Sequence, residues 1–369
     1  MTGALEHRIR AELENLDRAG LRRQLSAPSG IDLSSNDYLG LANHAAIKQR
    51  MAEAVCREGS GSTGSRLLRG QRDCFARIED RFARFKGAER ALYFSSGYLA
   101  NLAVLTAFPQ SGDVIFSDRL NHASLIDGAR LSPARRVIFP HNDAGALRLL
   151  LKEGGQGAQK FVVIESLYSM EGDRAPLADY ARLCREYDAA LIVDEAHAAG
   201  IYGARGSGLI EEFGVEDGVF LSINTAGKAL GVAGAFVAGS SWAIEFLIQR
   251  ARPFIFSTAP PPSVAAALDA ALDLIEAEPQ RRARLRSLAQ HLRARLGMAG
   301  DSHIVPVVLG SNERALAVAE KLQREGFDVR AIRPPTVPDG SARLRISVNV
   351  SLSEAILDRF SELLCAASS

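Results

Sequence analysis

The stretch "LIVDEAH", Leu191–His197, sets the reading of the whole chain. Three apolar residues, two of them β-branched, run into Asp194, and His197 follows three positions later. A run this short and apolar, closed by polar residues, reads as a buried strand. Five other runs share its grain: "RALYFSS" from Arg90, "DVIFSD" from Asp113, "RRVIFP" from Arg135, "KFVVIES" from Lys160 and "GVFLSI" from Gly218. Helix-length segments such as "LADYARLCREY", from Leu177, separate most of them. Strands alternating with helices predict βαβ units, hence an α/β fold with a mainly parallel central sheet flanked by helices. Ligands of such sheets sit at the carboxyl ends of the strands.

Outside this core the text changes. The first 26 residues read as an amphipathic helix through Leu5, Ile9, Leu13, Leu16 and Leu21, and "IDLSSNDYLGL" as a short strand into a turn. Beyond about Ile275 come an Arg-rich helix with Leu285, Leu288, Leu292 and Leu296 on one face, then "HIVPVVLG", "ERALAVAEKLQREG", "FDVRAIRPP", "ARLRISVN" and a final helix. The expected division is an N-terminal helix and strand segment over 1–44, a large domain over 45–273 and a smaller α+β C-terminal domain over 274–369.

Composition narrows the function. The chain has 369 residues, 47% hydrophobic and 24% charged, with a formal net charge of +1. That balance gives no global attraction to nucleic acid or to an anionic membrane, and neither is expected as a partner. No apolar run reaches the length of a membrane span, and "SVAAALDAALDLIEAE", broken by Asp269 and Asp273, reads as a buried helix. The N-terminus lacks the apolar core of a signal peptide. Cys56, Cys74, Cys184 and Cys365 are widely spaced, which indicates neither a zinc site nor a disulfide framework and fits a reducing cytoplasm.

Polar residues collect at the expected strand ends. They are Ser95, Ser96 and Gly97 in "FSSGYLAN", His122 in "DRLNHASL", Glu165 and Ser169 in "ESLYSMEGD", Asp194 and His197, then Thr225 and Lys228 in "NTAGKALG". Each has an ordinary alternative: a helix cap, a structural histidine, a steric Ser-Gly turn. "DEAH" also occurs as a magnesium-binding box of helicases, but that needs a G-x-x-x-x-G-K-[ST] loop. Ser222 stands where its first glycine belongs and Ala229 where its Ser or Thr belongs. "GSGSTGSRLLRG", residues 59 to 70, with Arg66 and Arg69, reads either as the rim of an anionic ligand site or as a flexible loop. Taken together, an anion cradle at a helix start, a ring-stacking histidine, an acid and an isolated lysine are the parts that hold pyridoxal 5'-phosphate (PLP).

The chain resembles the α-oxoamine synthases, PLP-dependent transferases of fold-type I, from "SSNDYLGL" to "ARLRISV". The closest stretches are "GSGSTGSRLLRG", "DRLNHASLIDGARLS", "GKALGVAGAF" and "IRPPTVPDGSARLRIS". The resemblance implies that Lys228 holds the cofactor and moves protons at the substrate Cα. It implies that Asp194 pairs with the pyridine nitrogen, that His197 and Ser169 lie near the phenolic oxygen, and that His122 stacks on the ring. Gly97, Tyr98 and Thr225 would bind the phosphate. Thr258 would reach the phosphate of a neighbouring subunit, which implies a homodimer. Asn36 and Arg345 would take the amino-acid carboxylate, and Arg22 would approach the acyl substrate. The implied reaction joins L-alanine to a pimeloyl thioester, carried on acyl carrier protein or coenzyme A, in biotin biosynthesis. Glycine with acetyl-CoA is the alternative within the family, and a non-catalytic binding protein on the same fold lies outside it. The Arg-rich stretches 8–23 and 281–295 read as solvated helix faces or as a surface for an acidic carrier. After "RISV" the family commonly carries a small-residue run with a histidine; here the text is "NVSLSE", which bears on the acyl donor.

Overall fold

All six apolar runs are strands, and a seventh strand joins them. In the computed structural model, which describes residues 3–154 and 157–368, the chain opens with α1 (Gly3–Arg18), β1 (Ile31–Asp32), α2 (Ala45–Glu58), α3 (Asp73–Lys86), β2 (Arg90–Phe94) and α4 (Gly97–Ala107). It continues with β3 (Val114–Asp118), α5 (Ala123–Leu131), β4 (Arg135–Phe139), α6 (Ala144–Glu153), β5 (Lys160–Glu165), α7 (Leu177–Glu186), β6 (Ala189–Asp194), α8 (Leu209–Phe213) and β7 (Leu221–Thr225). Then come β8 (Ala235–Gly239), α9 (Ser241–Arg250), α10 (Arg252–Ile255), α11 (Pro262–Ala277), α12 (Pro279–Leu296), β9 (Ile304–Gly310) and α13 (Asn312–Arg324). The last elements are β10 (Phe327–Asp328), β11 (Ala331–Ile332), β12 (Ala342–Ser347) and α14 (Glu354–Ser368). The chain divides into two units: Met1–Tyr38 with Met170–Gly172 and Arg284–Ser369, and Leu39–Ser169 with Asp173–Ala283.

The larger unit is built on a seven-stranded sheet ordered β2-β8-β7-β6-β5-β3-β4. From β7 to β4 every pairing is parallel, whereas β8 runs antiparallel to both β7 and β2. The glycines around β8 hid it in the sequence. One of them, Gly234, lies at φ +90, and a Cβ there would fall within about 2 Å of the Tyr93 hydroxyl. Helix α3 buries Phe75, Ile78, Phe82 and Phe85 on one face and stops at Gly87 in the left-handed region. Helix α11 packs on α2 and α3. Its two aspartates face outward, Asp269 to Arg81 at 2.5 Å and Asp273 to Arg81 at 2.8 Å, so they do not oppose its burial.

In the smaller unit, β11-β12-β9 form an antiparallel sheet, and β1 pairs in parallel with β10. The N-terminal helix is shorter than its apolar spacing suggests. It ends at Arg18, where Gly20 at φ +63 turns the chain and the Leu21 N–H closes on the Leu16 carbonyl. The arginines of α12 are largely committed. Arg282 donates to the Ile275 and Ala204 carbonyls, Arg284 to those of Val350 and Leu352, and Arg293 to those of Ser302 and Ile304. This stripe is therefore more a set of backbone clamps than a solvated face. Among the described residues no helix is long and apolar enough to cross a membrane.

Beside the sheet, His141 is held between Asp118 and Asp173, each at 2.9 Å. Burial works against its charge, but the two carboxylates win and push the imidazole up to about 10. A raised imidazolium contributes stability that is complete below the unfolded value near 6.5 and is lost as pH rises through about 10. His141→Asn is expected to cost about 1–3 kcal/mol at pH 6, with the gap to wild type closing toward pH 10 in thermal melts.

Candidate active site

The site forms where β5, β6 and β7 end side by side. Glu165 and Asp194 are partners across the β5–β6 ladder, and Asp194 faces Ile223 across the β6–β7 ladder. Asp194 is 4% exposed. A carboxylate so desolvated must be hydrogen-bonded, and here Oδ1 accepts the Ala196 N–H at 2.9 Å while Oδ2 accepts the Asn101 amide at 2.7 Å. The turn after β6 brings His197 to Lys228, with Nε2 and Nζ 2.8 Å apart. Lys228 lies in the β7–β8 connection, which is closed by bonds from the Ala226 N–H to the Gly234 carbonyl and from the Val232 N–H to the Ala226 carbonyl.

The glycines around Lys228 divide by role. A Cβ on Gly231, at φ +66, would lie 2.4 Å from the Ala42 nitrogen, so this glycine is required. Gly227 has room, its nearest neighbour being the Val232 carbonyl at 3.6 Å. Gly97 begins α4, capped by Ser96, and a Cβ on it would sit 2.4 Å from Thr225 Oγ1. Only a glycine lets the first turn of α4 and the Thr225 hydroxyl meet this closely, and a helix start with open N–H groups beside a hydroxyl is an anion cradle. Tyr98 is exposed and donates its hydroxyl to Asp127 at 2.5 Å.

His122 caps α5, and its backbone N–H donates to Glu165 Oε1 at 2.6 Å. The Ser169 N–H reaches Glu165 Oε2 at 3.3 Å, so one carboxyl ties both segments down. Burial first, and the neighbouring Asp194 second, push Glu165 up to about 8. Next to Asp194, Glu195 has a different task. It is wholly buried, pairs with Lys86 at 2.5 Å and accepts the Ile210 N–H.

In the smaller unit Arg343, Arg345 and Ser347 share one face of β12. Arg345 donates to Asn36 Oδ1 at 3.0 Å, to Ser347 Oγ at 2.7 Å and to the Tyr38 hydroxyl at 3.1 Å. Tyr38 donates in turn to Asn36 at 2.7 Å. Burial raises the Tyr38 phenol above its ordinary value although Arg345 pulls it down, so it stays protonated. Asn349, where the family pattern carries small residues and a histidine, ties a turn. Its Nδ2 donates to the Asp32 carbonyl and its Oδ1 accepts the Ser351 N–H.

The remaining expected residues have other partners. Arg22 pairs with Asp17 at 2.5 Å on an exposed surface. Thr258 is exposed and bridges Ser65, so the 59–70 segment is paired to its neighbour, not free. Of the two arginines in that segment, Arg66 is unavailable to an outside anion: it is 8% exposed and grips both oxygens of Glu79 at 2.9 Å. Asn101 and Ser124, which hold Asp194 and His122, were not singled out from the sequence; an asparagine inside the apolar "GYLANLAV" was the available signal.

The chain matches the family Aminotransferase class I and II over residues 28–364, and it belongs to that family. It is a PLP-dependent acyltransferase of fold-type I and of the α-oxoamine synthase type. It is 46% identical over 385 residues to an 8-amino-7-oxononanoate synthase of Anaeromyxobacter dehalogenans, covering 99% of this chain and 96% of that one. Among solved structures it is similar to a serine palmitoyltransferase from S. paucimobilis with PLP and myriocin bound (TM-score 0.91, 30% identity, 97% and 96% of the chains). It is also similar to an 8-amino-7-oxononanoate synthase from Francisella tularensis (TM-score 0.79, 30% identity, 92% and 97%).

The residues present fit PLP. Asp194 is a buried anion held by amide donors, the Gly97–Thr225 approach leaves a cradle that any side chain at 97 would fill, and Lys228 stands at the same sheet edge. Glu165 offers a check of this electrostatic reading in the cofactor-free protein. Between the ordinary carboxyl range and about pH 8 the native state binds a proton that the unfolded chain has released, so stability falls as pH rises through that window. Glu165→Gln removes this slope, and its melting temperature relative to wild type should rise from pH 5 to pH 8.5 by the equivalent of at least about 1 kcal/mol.

Proposed function

We propose that the chain joins L-alanine to a pimeloyl thioester, releasing CO2, the free thiol and 8-amino-7-oxononanoate, in biotin biosynthesis. One observation carries the reading on the structural side: Lys228 Nζ lies 2.8 Å from His197, at the sheet edge that holds the buried Asp194. The product is the one for which the curated relatives are named, 8-amino-7-oxononanoate synthases 43–46% identical over nearly the whole chain.

PLP, when bound, supplies an electron sink for negative charge at the carbon beside the amino group. The chain's residues do the rest. Asp194 would hold a proton at the pyridine nitrogen. The N–H groups of Gly97 and Tyr98 and the Thr225 hydroxyl would grip the phosphate, and His122 would cover one face of the ring. Ser169 and His197 would bond the phenolic oxygen. Lys228 would take the proton from the substrate Cα and return one at the end. Asn36 and Arg345 would hold the amino-acid carboxylate, a task that suits a guanidinium because its fork meets two oxygens at once. Arg22 would meet the acyl substrate. The division into segments 1–44, 45–273 and 274–369 belongs to the same reading.

The working form is proposed to be a cytoplasmic homodimer in which Thr258 completes the neighbour's phosphate site. Support comes from Leu67, Leu68 and Phe256, large apolar side chains left exposed around the Ser65–Thr258 bridge. An acyl carrier protein is a candidate donor, although the α12 arginines bound to carbonyls reduce what it could meet there.

Purified protein should be yellow, and borohydride should fix PLP to Lys228; colourless protein with no modified peptide at that position defeats the proposal. Pimeloyl thioester should turn over with alanine. Turnover only with serine and a long acyl thioester, as the serine palmitoyltransferase likeness would suggest, or only with glycine and acetyl-CoA, reassigns the substrates. Arg345→Ala should raise the KM for the amino acid about 10–100-fold, roughly 1.4–2.8 kcal/mol, while Arg345→Lys recovers only part of it.

A further inference from the structure

Four buried or half-buried groups form one directed chain between Asp194 and His122. Asn101 Nδ2 lies 2.7 Å from Asp194 Oδ2 and 2.8 Å from Ser124 Oγ, and Ser124 Oγ lies 2.7 Å from His122 Nδ1. Asn101 is 2% exposed and Ser124 1%. The direction of each bond follows from what its partner can do. An ionised carboxylate only accepts, so Asp194 draws the amide nitrogen of Asn101, not its oxygen, to this side. That nitrogen has a second N–H, which goes to the Ser124 oxygen. The backbone N–H of Ser124 also points at His122 Nδ1, 3.2 Å away, and a backbone N–H can only donate. Nδ1 must therefore present its lone pair, and the Ser124 hydroxyl, already accepting from Asn101, turns its own proton to the same nitrogen.

We infer that Asn101 and Ser124 are positioning residues that fix His122 as a neutral imidazole with its proton on Nε2. The ring then offers a hydrogen-bond donor to whatever occupies the site and has no basic nitrogen left for it. Partial burial, with Lys228 assisting, lowers the imidazole below its ordinary value, against the pull of Asp194 and Asp127, which agrees with a neutral ring. The tautomer stands on this geometry alone; its bearing on catalysis rests on the proposed function. If His122 covers the cofactor, a neutral ring adds no positive charge above it, and the Nε2–H can bond an oxygen of the incoming acyl group or carboxylate.

The test is nitrogen NMR of protein labelled with 15N-histidine, prepared with and without PLP, His122 being assigned with a His122→Asn variant. The expected result at pH 7 is a neutral His122 protonated on Nε2 in both preparations. In Ser124→Ala, which removes the hydroxyl donor but keeps the backbone N–H, the Nε2–H form should persist and the ring's titration midpoint should rise. Asn101→Ala keeps the hydroxyl but no longer directs it, and should move the midpoint the same way by less. A wild-type ring protonated on Nδ1, or charged at pH 7, overturns the inference. So does Ser124→Ala with the midpoint of wild type. Should Ser124→Ala not fold, an unchanged midpoint in Asn101→Ala overturns it equally. Protein that binds no PLP would defeat the proposed function while leaving this reading of the ring intact.

Discussion

A carboxylate removed from water at the end of a central parallel strand is the constraint around which the larger unit is arranged. Asp194 is 4% exposed, and its solvation is replaced by two N–H donors, the Ala196 backbone and the Asn101 amide. Meeting that need fixes the turn after β6 on one side and the face of α4 on the other. It also constrains the neighbouring strand. Glu165 stands beside Asp194 in the ladder, and two buried carboxylates so placed do not ionise equally. Glu165 is the one displaced upward, to about 8, although it accepts two backbone N–H groups. Its charge is thus conditional on pH, and it spans the segments that carry His122 and Ser169.

Close backbone approach is the second means by which the site is held. The cradle at the start of α4 exists because residue 97 has no side chain to strike Thr225. The loop bearing Lys228 turns where it does because Gly231 can pass within contact of Leu41 and Ala42. Gly208 similarly lets the chain pass over Glu195, whose carboxyl a Cβ would meet at 2.2 Å. Glu195 and Lys86, 2.5 Å apart, then anchor the backbone just beyond Asp194. The functional side chains are thus carried by backbone that has few alternative paths.

How far the sequence could be read follows from the range over which each signal acts. The parallel strands were legible because burial on both faces leaves a continuous apolar run ending in a polar residue, a pattern local to six residues. Strand β8 was not, since the glycines before it answer to Tyr93 and to Leu41 and Ala42, neighbours distant in sequence. The end of α1 depends on a left-handed Gly20, which apolar spacing does not register. In the site, Lys228, His197 and Asp194 were visible as types at strand ends, and the structure puts them at one sheet edge. The roles of Arg66 and Glu195 were not, because an arginine gripping a carboxylate and an arginine awaiting an anion look alike until the partner is known. Asn101 and Ser124 act through other residues, and nothing in their own neighbourhoods marks that.

The difference between structural and functional charge is visible in how each is compensated. Glu79 and Glu195 are closed by cations of the chain itself, Arg66 at 2.9 Å and Lys86 at 2.5 Å, and an ion pair of that kind spends its charge on a single geometry. Asp194 is as deeply buried as they are, yet its close partners are amides. Among the described residues it forms no ion pair. Amide donors make the burial tolerable without neutralising the carboxylate. A carboxylate held in this way is left able to pair with a cation. Asn101 and Ser124 likewise link Asp194 to His122 through neutral groups, Asn101 Nδ2 lying 2.7 Å from Asp194 and 2.8 Å from Ser124 Oγ, which lies 2.7 Å from His122 Nδ1. The amides that hold Asp194 are therefore neutral donors, whereas Glu79 and Glu195 are each met directly by a cation of the chain.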